Sequence, residues 1–269
     1  MGAWVNYRKA QKILKKIDET TRPNQTFLTM CMPTTPRGKN VTYLTQVLAA
    51  YRQQLDDPSL ADTKLVVVNT RPGHHHEFEE VRRRYRGSTQ LEFTELSVEV
   101  AQWVDPVKLE VDNMNNPKNI PGVSVRRQTH DLVHVMDRCS LAYSDGEYSM
   151  LLEDDFVPCK TSIKKIHETI LSMQRKSNWQ TLSFSAGMNG IVMRNDPTFV
   201  QLRRFLEEKY QVLPPDLLVY SSGPGYQGKD VRKGRYFFEH IGRVSSFDFR
   251  NTDKFLSMSG AARKVTCKR

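Results

Sequence analysis

The sequence predicts an α/β fold, with a mainly parallel sheet flanked by helices. Two observations carry this. Short apolar or β-branched runs of strand length recur along the chain, and stretches with apolar residues at helical spacing lie between them. Residues 27–32 form an apolar run that stops at Pro33, which reads as a first buried strand. The segment 33–38 (Pro-Thr-Thr-Pro-Arg-Gly) is a loop by composition. Val41, Leu44, Val47, Leu48 and Tyr51 then fall at helical spacing, and predict a helix over 41–55. Residues 65–69 (Leu-Val-Val-Val-Asn) are a second strand, ended by a Pro-Gly turn. A short charged helix is expected at 77–85, an irregular connection at 104–124 and a longer helix at 128–143. That helix should turn Leu132, Val135, Met136, Cys139 and Leu141 mostly inward. Residues 148–152 read as a strand that runs directly into Glu153-Asp154-Asp155. A helix, a strand at 181–184, a helix at 198–210 and a strand near 236–238 complete the alternation. In such sheets ligands bind beyond the carboxyl ends of the strands. The loop after Met32, the loop after Asn69 and the acidic triplet should therefore share one edge.

Composition bounds the function classes. The chain has 269 residues, 38% hydrophobic and 26% charged, as expected of a globular protein rather than a disordered one. No window approaches the roughly 18 apolar residues of a membrane helix, so no membrane segment is expected. The N-terminus lacks the apolar core of a signal peptide. Residues 1–22 read instead as an amphipathic helix, 23–250 as the main domain and 251–269 as a basic tail. If the protein works in the secretory pathway, an anchor or signal is expected to be missing from this chain. The formal net charge is +10. That admits nucleic acid, membrane head groups or anionic small molecules as partners, or a solvated basic surface. No nucleic-acid signature accompanies the charge, so no nucleic-acid partner is expected. Cys31, Cys139, Cys159 and Cys267 are too few for a disulfide framework; Cys139 and Cys159 could pair in an oxidising compartment. Sequons at Asn24 and Asn40 weakly favour a lumenal location.

The acidic triplet carries the most chemistry. Three carboxylates at a strand end repel one another and shift one another's pKa. A hard divalent cation resolves this, because Mn²⁺ and Mg²⁺ prefer carboxylate oxygen and water. The same cation binds phosphate oxygens and would neutralise a departing nucleoside diphosphate. The bland alternative is a solvated acidic turn.

Leu152 to Asp155 resembles the metal-binding acidic motif of GT-A-fold glycosyltransferases. Around it the chain is similar to the catalytic domain of the N-acetylglucosaminyltransferase IV family. Met32, Pro33, Thr34 and Arg37 look like that family's first strand and donor-side loop. Arg127, Gln128 and Asp131 resemble its Lys-Gln-x-x-Asp helix start, with Arg in place of Lys. Trp179, Leu182, Phe184 and Ser185 resemble its Trp-x-x-Leu-x-Phe-Ser strand. Pro214, Asp216 and Leu218 parallel Pro-x-Asp-x-Leu-Leu, with Leu217 where the family has Trp. His240, Gly242, Ser245 and Ser246 match its C-terminal element. The GPI-glycan N-acetylgalactosaminyltransferases are similar at the acidic and His-Ile-Gly motifs, but carry inserted membrane helices.

The resemblance implies a GT-A-like mixed sheet and an inverting, metal-dependent transfer of N-acetylglucosamine from UDP-GlcNAc to a mannose of an N-glycan. It implies Mn²⁺ or Mg²⁺ as cofactor, a UDP-sugar donor, a glycan or glycoprotein acceptor, and the Golgi lumen. Asp155 and His240 are the expected metal ligands. Thr34, Arg37, Asn69, Gln128, Asp131, Glu153 and Asp154 are expected on the donor side. His240 could instead touch the diphosphate or be a buried, hydrogen-bonded histidine. Arg37 suits diphosphate by its bidentate geometry, and is otherwise a surface arginine.

Three further features are weighed. His74-His75-His76 is a poor metal cluster, because consecutive loop residues do not converge on one ion, and the rim of the cleft is its better place. Gly223-Pro224-Gly225 lacks the context of a phosphate loop and suits a lid or acceptor-side loop. Asp216 is the candidate catalytic base, with an N-cap as its bland reading and Glu239 or Asp248 as substitutes.

Overall fold

The structure, a computed structural model, describes residues 25–38, 41–108, 120–174, 179–185, 187–221, 229–230, 237–242 and 267. The expected helix at 1–22, most of the 251–269 tail, Asn24, Asn40, Gly223 to Gly225, Ser245, Ser246 and Asp248 lie outside them. The strands are β1 (Leu28–Thr34), β2 (Thr63–Asn69), β3 (Leu91–Glu95), β4 (Tyr148–Leu151), β5 (Phe156–Pro158), β6 (Thr181–Ser183), β7 (Ile191–Arg194), β8 (Lys229–Asp230) and β9 (Phe238–His240). The helices are α1 (Tyr43–Leu55), α2 (His76–Arg84), α3 (Val98–Ala101), α4 (Val123–Ala142), α5 (Ser162–Gln174), α6 (Val200–Lys209) and α7 (Pro215–Ser221).

Seven strands form one sheet in the order β3-β2-β1-β4-β7-β6-β8, and β5 pairs with β9 in a small second sheet. The pairs β1–β2, β1–β4, β2–β3 and β6–β8 are parallel; β7 runs antiparallel to both β4 and β6. This is the mixed, mainly parallel, helix-flanked sheet expected of a GT-A-like chain. Period-two alternation explains its two covered faces. Leu28, Met30 and Met32 of β1, with Leu65 and Val67 of β2, enter one core with Leu44, Val47 and Leu48 of α1 and Ile163 and Ile166 of α5. Cys31, Val66 and Val68 point the other way, against Leu132, Val135 and Met136 of α4 and Leu202 and Leu206 of α6.

The differences from expectation have local causes. β3 was not expected; its Leu-Glu-Phe-Thr-Glu run is short and edge-placed, and only Leu91 of it is fully buried. β7 was also missed, as a four-residue run ending in Arg194. α4 begins at Val123 rather than at 128, because Arg126 anchors its first turn. The Arg126 guanidinium is buried, pairs with Asp105 and donates to the Pro121 carbonyl. Leu141 is 74% exposed, not inward. The last strand is Phe238–His240 rather than 236–238.

The cysteine expectation is corrected. Cys159 pairs with Cys267, not with Cys139, and Cys31 and Cys139 are free and buried. Cys139 sits on the inward face of α4, in the core on the far side of the sheet from the β5–β9 pair. Cys159 follows β5, and the Cys267 N–H donates to Glu239 of β9 at 3.3 Å. The bond spans 108 residues of sequence. A loop of that size restricts the unfolded chain, so Cys267→Ser should cost about 2 to 4 kcal/mol of stability. Thermal melts of both chains with and without reductant check this; the native chain should drop to the variant's midpoint on reduction, and indifference to reductant would refute it.

Candidate functional site

Parallel register builds the site. Cys31 of β1 lies opposite Leu151 of β4, so continuing the two strands brings Thr34 to Asp154. The Thr34 hydroxyl donates to Asp154 Oδ2 at 2.7 Å. Arg37, in the loop after β1, donates through Nη2 to the other oxygen of Asp154, and its Nη1 lies 3.3 Å from Asp155 Oδ2. The guanidinium also sits over the Tyr43 ring, 5.1 Å from its centroid. Burial works against the Arg37 charge, but Asp154 and Asp155 outweigh it and raise its pKa.

The small sheet supplies the third side. β9 pairs with β5, setting Phe156 opposite His240. The Ile241 N–H donates to the Asp155 carbonyl at 2.9 Å, and His240 Nε2 lies 3.3 Å from Asp155 Oδ2. Gly242 passes so close that a Cβ there would lie 2.1 Å from Asp155 Oδ2 and 2.8 Å from His240 Nε2. Burial raises the Asp155 carboxyl, yet the His240 hydrogen bond and the Arg37 charge prevail and hold it low. Asp154 is pushed up by its burial, against Arg37 and the Thr34 hydroxyl. Glu153 is pushed up to about 8 by burial and by its carboxylate neighbours Asp155, Asp154 and Asp216. The three carboxyls are therefore chemically distinct: Asp155 favours the anion, Asp154 is tied up by donors, and Glu153 holds a proton near neutrality.

The other expected residues fall in two places. Asn69 is fully buried; its Nδ2 donates to Glu95 Oε1 at 2.7 Å and its Oδ1 accepts from the Arg71 N–H at 2.9 Å. Asp131 of α4 pairs with Arg71 at 2.7 Å and Arg127 at 2.9 Å. Burial raises the Asp131 carboxyl, but His130, Arg71 and Arg127 together lower it. This second cluster adjoins the first, because the Thr70 N–H and hydroxyl both donate to the Thr34 carbonyl, at 2.9 and 3.1 Å. Gln128 lies partly buried on α4. Asp216 is the second residue of α7, inside the first turn rather than before it, so it is not the N-cap. Its charge is felt at Glu153.

Asn189 and Arg71 escaped the sequence reading, and the contacts of Gly242 and His75 were not foreseen. Asn189 is fully buried and its Oδ1 accepts the Glu153 N–H at 3.1 Å, while its Nδ2 has no hydrogen-bond partner among the described residues. Arg71 holds Asp131, and Gly242 makes room for Asp155. His75 is buried at 4% exposure and bonds to Thr34, whereas the rim of the cleft was its expected place. Only the Pro-Gly turn before the histidines hints at a helix start.

Among the described residues no group of three or more His, Cys, Asp or Glu is arranged to hold a metal ion. The Asp155–His240 pair nevertheless fits as a two-ligand set. Two neighbouring octahedral ligands at about 2.1 Å from Mg²⁺ lie about 3 Å apart, close to the 3.3 Å observed. The carboxylate oxygen suits Mg²⁺ or Mn²⁺, with the imidazole nitrogen as the softer partner.

No protein-family model matches the chain. It is 30% identical, over 139 residues, to an alpha-1,6-mannosyl-glycoprotein 4-beta-N-acetylglucosaminyltransferase of Gallus gallus. The match covers 51% of this chain and spans only 30% of that relative's length. Among solved structures, residues 1–349 of TarS from S. aureus superpose with a TM-score of 0.45 at 11% identity, over 79% of this chain and 59% of that one. The same TarS segment in complex with UDP gives 0.42, also at 11% identity and with the same coverage. A putative nucleotide-diphospho-sugar transferase from Desulfovibrio desulfuricans gives 0.36 at 13% identity, over 76% of this chain and 73% of that one. The motif resemblance to the N-acetylglucosaminyltransferase IV family is thus matched by a curated relative whose name likewise describes 4-beta transfer of N-acetylglucosamine.

Proposed function

We propose that the chain is the catalytic part of a metal-dependent glycosyltransferase that uses a nucleotide-sugar donor. The carrying observation is the convergence of Arg37, Asp155 and His240 at the carboxyl edge of a mainly parallel sheet. A cation held there by Asp155 and His240 would offset the charge of the departing diphosphate. Arg37 would bind the diphosphate oxygens from the opposite side. Thr34 and Asp154 hold Arg37 in place, and Asn189 holds the Glu153 backbone. Asp216 is the base that takes the acceptor hydroxyl proton as that oxygen attacks the anomeric carbon, which inverts the configuration. On the donor side Asn69, Gln128 and Asp131 shape the cleft from the second cluster.

The finer reading is transfer of N-acetylglucosamine from UDP-GlcNAc to a mannose of an N-glycan, supported by the motifs and by the Gallus gallus relative. The Cys159–Cys267 disulfide favours an oxidising compartment, in keeping with the Golgi lumen. Among the described residues no helix is long and apolar enough to cross a membrane. The test is calorimetry of UDP binding with and without Mn²⁺, then turnover with a panel of UDP-sugars, then with N-glycan fragments. UDP binding that requires Mn²⁺ and turnover with UDP-GlcNAc are expected. Failure to bind any UDP-sugar would remove the reading.

Gly242 gives a sharp check on the cation site. In Gly242→Ala the new methyl must displace the Asp155 carboxylate or the His240 ring. A shift of that size in a metal ligand should weaken Mn²⁺-dependent UDP binding about tenfold or more. The fold should persist, since Gly242 follows the last strand. Calorimetry decides, and native affinity in the variant would place the cation elsewhere.

A further inference from the structure

His74 and His76 are exposed, and His75 between them is buried. His75 immediately precedes α2 and caps it: its Nδ1 accepts from the Phe78 N–H at 3.4 Å. On its other side, Nε2 lies 2.9 Å from Thr34 Oγ1. The two ends determine the ring's state independently. The Thr34 hydroxyl has one proton, and it goes to Asp154. Toward His75 that oxygen can only accept, so Nε2 must carry a hydrogen. At the far end Nδ1 accepts a backbone N–H, so it carries none. Both constraints give the neutral Nε2–H tautomer. An imidazolium would set a second N–H against the Phe78 N–H.

From there the chain of bonds continues without a gap. Thr34 donates to one oxygen of Asp154, the other oxygen takes Arg37, and Arg37 reaches on to Asp155. We propose that His75 is a positioning residue of the nucleotide-diphosphate site, acting through Thr34 and Asp154 to hold Arg37 where the phosphates bind. The proposal rests on the functional reading above. Without the Nε2–H donor, the Thr34 hydroxyl is free to rotate its proton away from Asp154. Asp154 then loses a donor in a buried setting and can turn, carrying Arg37 with it. The second carboxylate is thereby reserved as an anchor for Arg37.

The experiment compares His75→Phe, His75→Gln, Thr34→Val and the His75→Phe/Thr34→Val double variant by calorimetry with UDP and Mn²⁺. Each of His75→Phe and Thr34→Val should weaken binding about tenfold. The double variant should lose no more than the worse single, because the second change meets a chain already broken. His75→Gln keeps a donor and an acceptor and should stay within about threefold of native. A purely structural cap would lower the melting temperature and leave UDP affinity alone, which overturns the proposal; so would losses that multiply to about a hundredfold in the double variant.

Imidazole ¹⁵N shifts of the native chain give a second readout, needed if His75→Phe does not fold. A protonated Nε2 and a bare Nδ1 are expected near neutral pH, with Nε2 shifting in Thr34→Val. An Nδ1–H tautomer or an imidazolium overturns the proposal. A native chain that binds no UDP overturns the functional reading and the ligand part of this proposal with it, while the shifts still decide whether the bonded chain exists.

Discussion

Asp155→Asn should leave a folded protein that has lost Mn²⁺-dependent UDP binding, with affinity down by about a hundredfold to a few thousandfold. The substitution keeps the shape of the side chain and removes one charge. That charge is the point at which two loops and two strands meet. His240 approaches Asp155 Oδ2 from β9, and Arg37 approaches the same oxygen from the loop after β1, both at 3.3 Å. Truncating one partner of a hydrogen-bonded charge pair in a binding site costs about 3 to 5 kcal/mol of affinity, which converts to the range above. An amide can present an oxygen to a cation, but without the charge that offsets the diphosphate. The backbone contact from Ile241 to the Asp155 carbonyl does not depend on the side chain, so the β5–β9 pair should hold and the melting temperature should change little. Calorimetry with UDP, with and without Mn²⁺, measures the outcome. UDP affinity equal to that of the native chain in the presence of Mn²⁺ would sink the assignment of Asp155 as a cation ligand.

Local patterns made the centre of the sheet readable. β1, β2 and β4 are covered on both faces, so they appear as mainly apolar or β-branched runs, and each leads to a polar or acidic residue on the ligand edge. β3 and β7 do not announce themselves in that way. β3 lies at the sheet edge and carries Glu92 and Glu95; the latter is there because Asn69 donates to it. β7 gains its strand character from being clamped between β4 and β6, a tertiary fact that four residues cannot signal. The helix at 123 was hidden for a related reason: its first turn is fixed by tertiary pairs, with Arg126 buried on Asp105 and Arg127 reaching Asp131.

The site divides along the same line. Glu153, Asp154 and Asp155 are adjacent in sequence, so their meeting needs no tertiary knowledge. Thr34 and Arg37 follow from the rule that ligands gather beyond parallel strands. Asn69 shows the limit of that rule. It stands at the right edge, but its amide is spent on Glu95 and the Arg71 N–H, and Arg71 in turn holds Asp131. His75 meets Thr34, and Asn189 the Glu153 backbone, only after folding, across gaps of dozens of residues. Their signal is burial of a polar side chain with a partner at the site, and burial is invisible until the layers are assembled. Gly242 is visible as a glycine after His240 and Ile241, but the need for it appears only when Asp155 is seen filling the space of its missing Cβ.

Asp216→Asn should separate chemistry from donor binding: kcat down by about a hundredfold or more, with UDP affinity retained. Asp216 lies within the first turn of α7, which begins at Pro215. A carboxylate there gains from the helix dipole, but the first turn does not require it. Its influence on Glu153 places it on the same side of the molecule as the triplet, while Asp155 is engaged by His240 and Arg37 and Asp154 by Thr34 and Arg37. Among the described residues Asp216 makes no ion pair, and we keep it as the proposed base. Burial and the neighbouring carboxylates push Glu153 up to about 8. Removing the Asp216 charge should also let Glu153 ionise more readily, since Asp216 is one of the charges opposing it. The two effects are separable by measuring UDP affinity and kcat on the same preparation. If Asp216→Asn turns over at the native rate, the base is not Asp216, and Glu239 of β9 becomes the residue to change next.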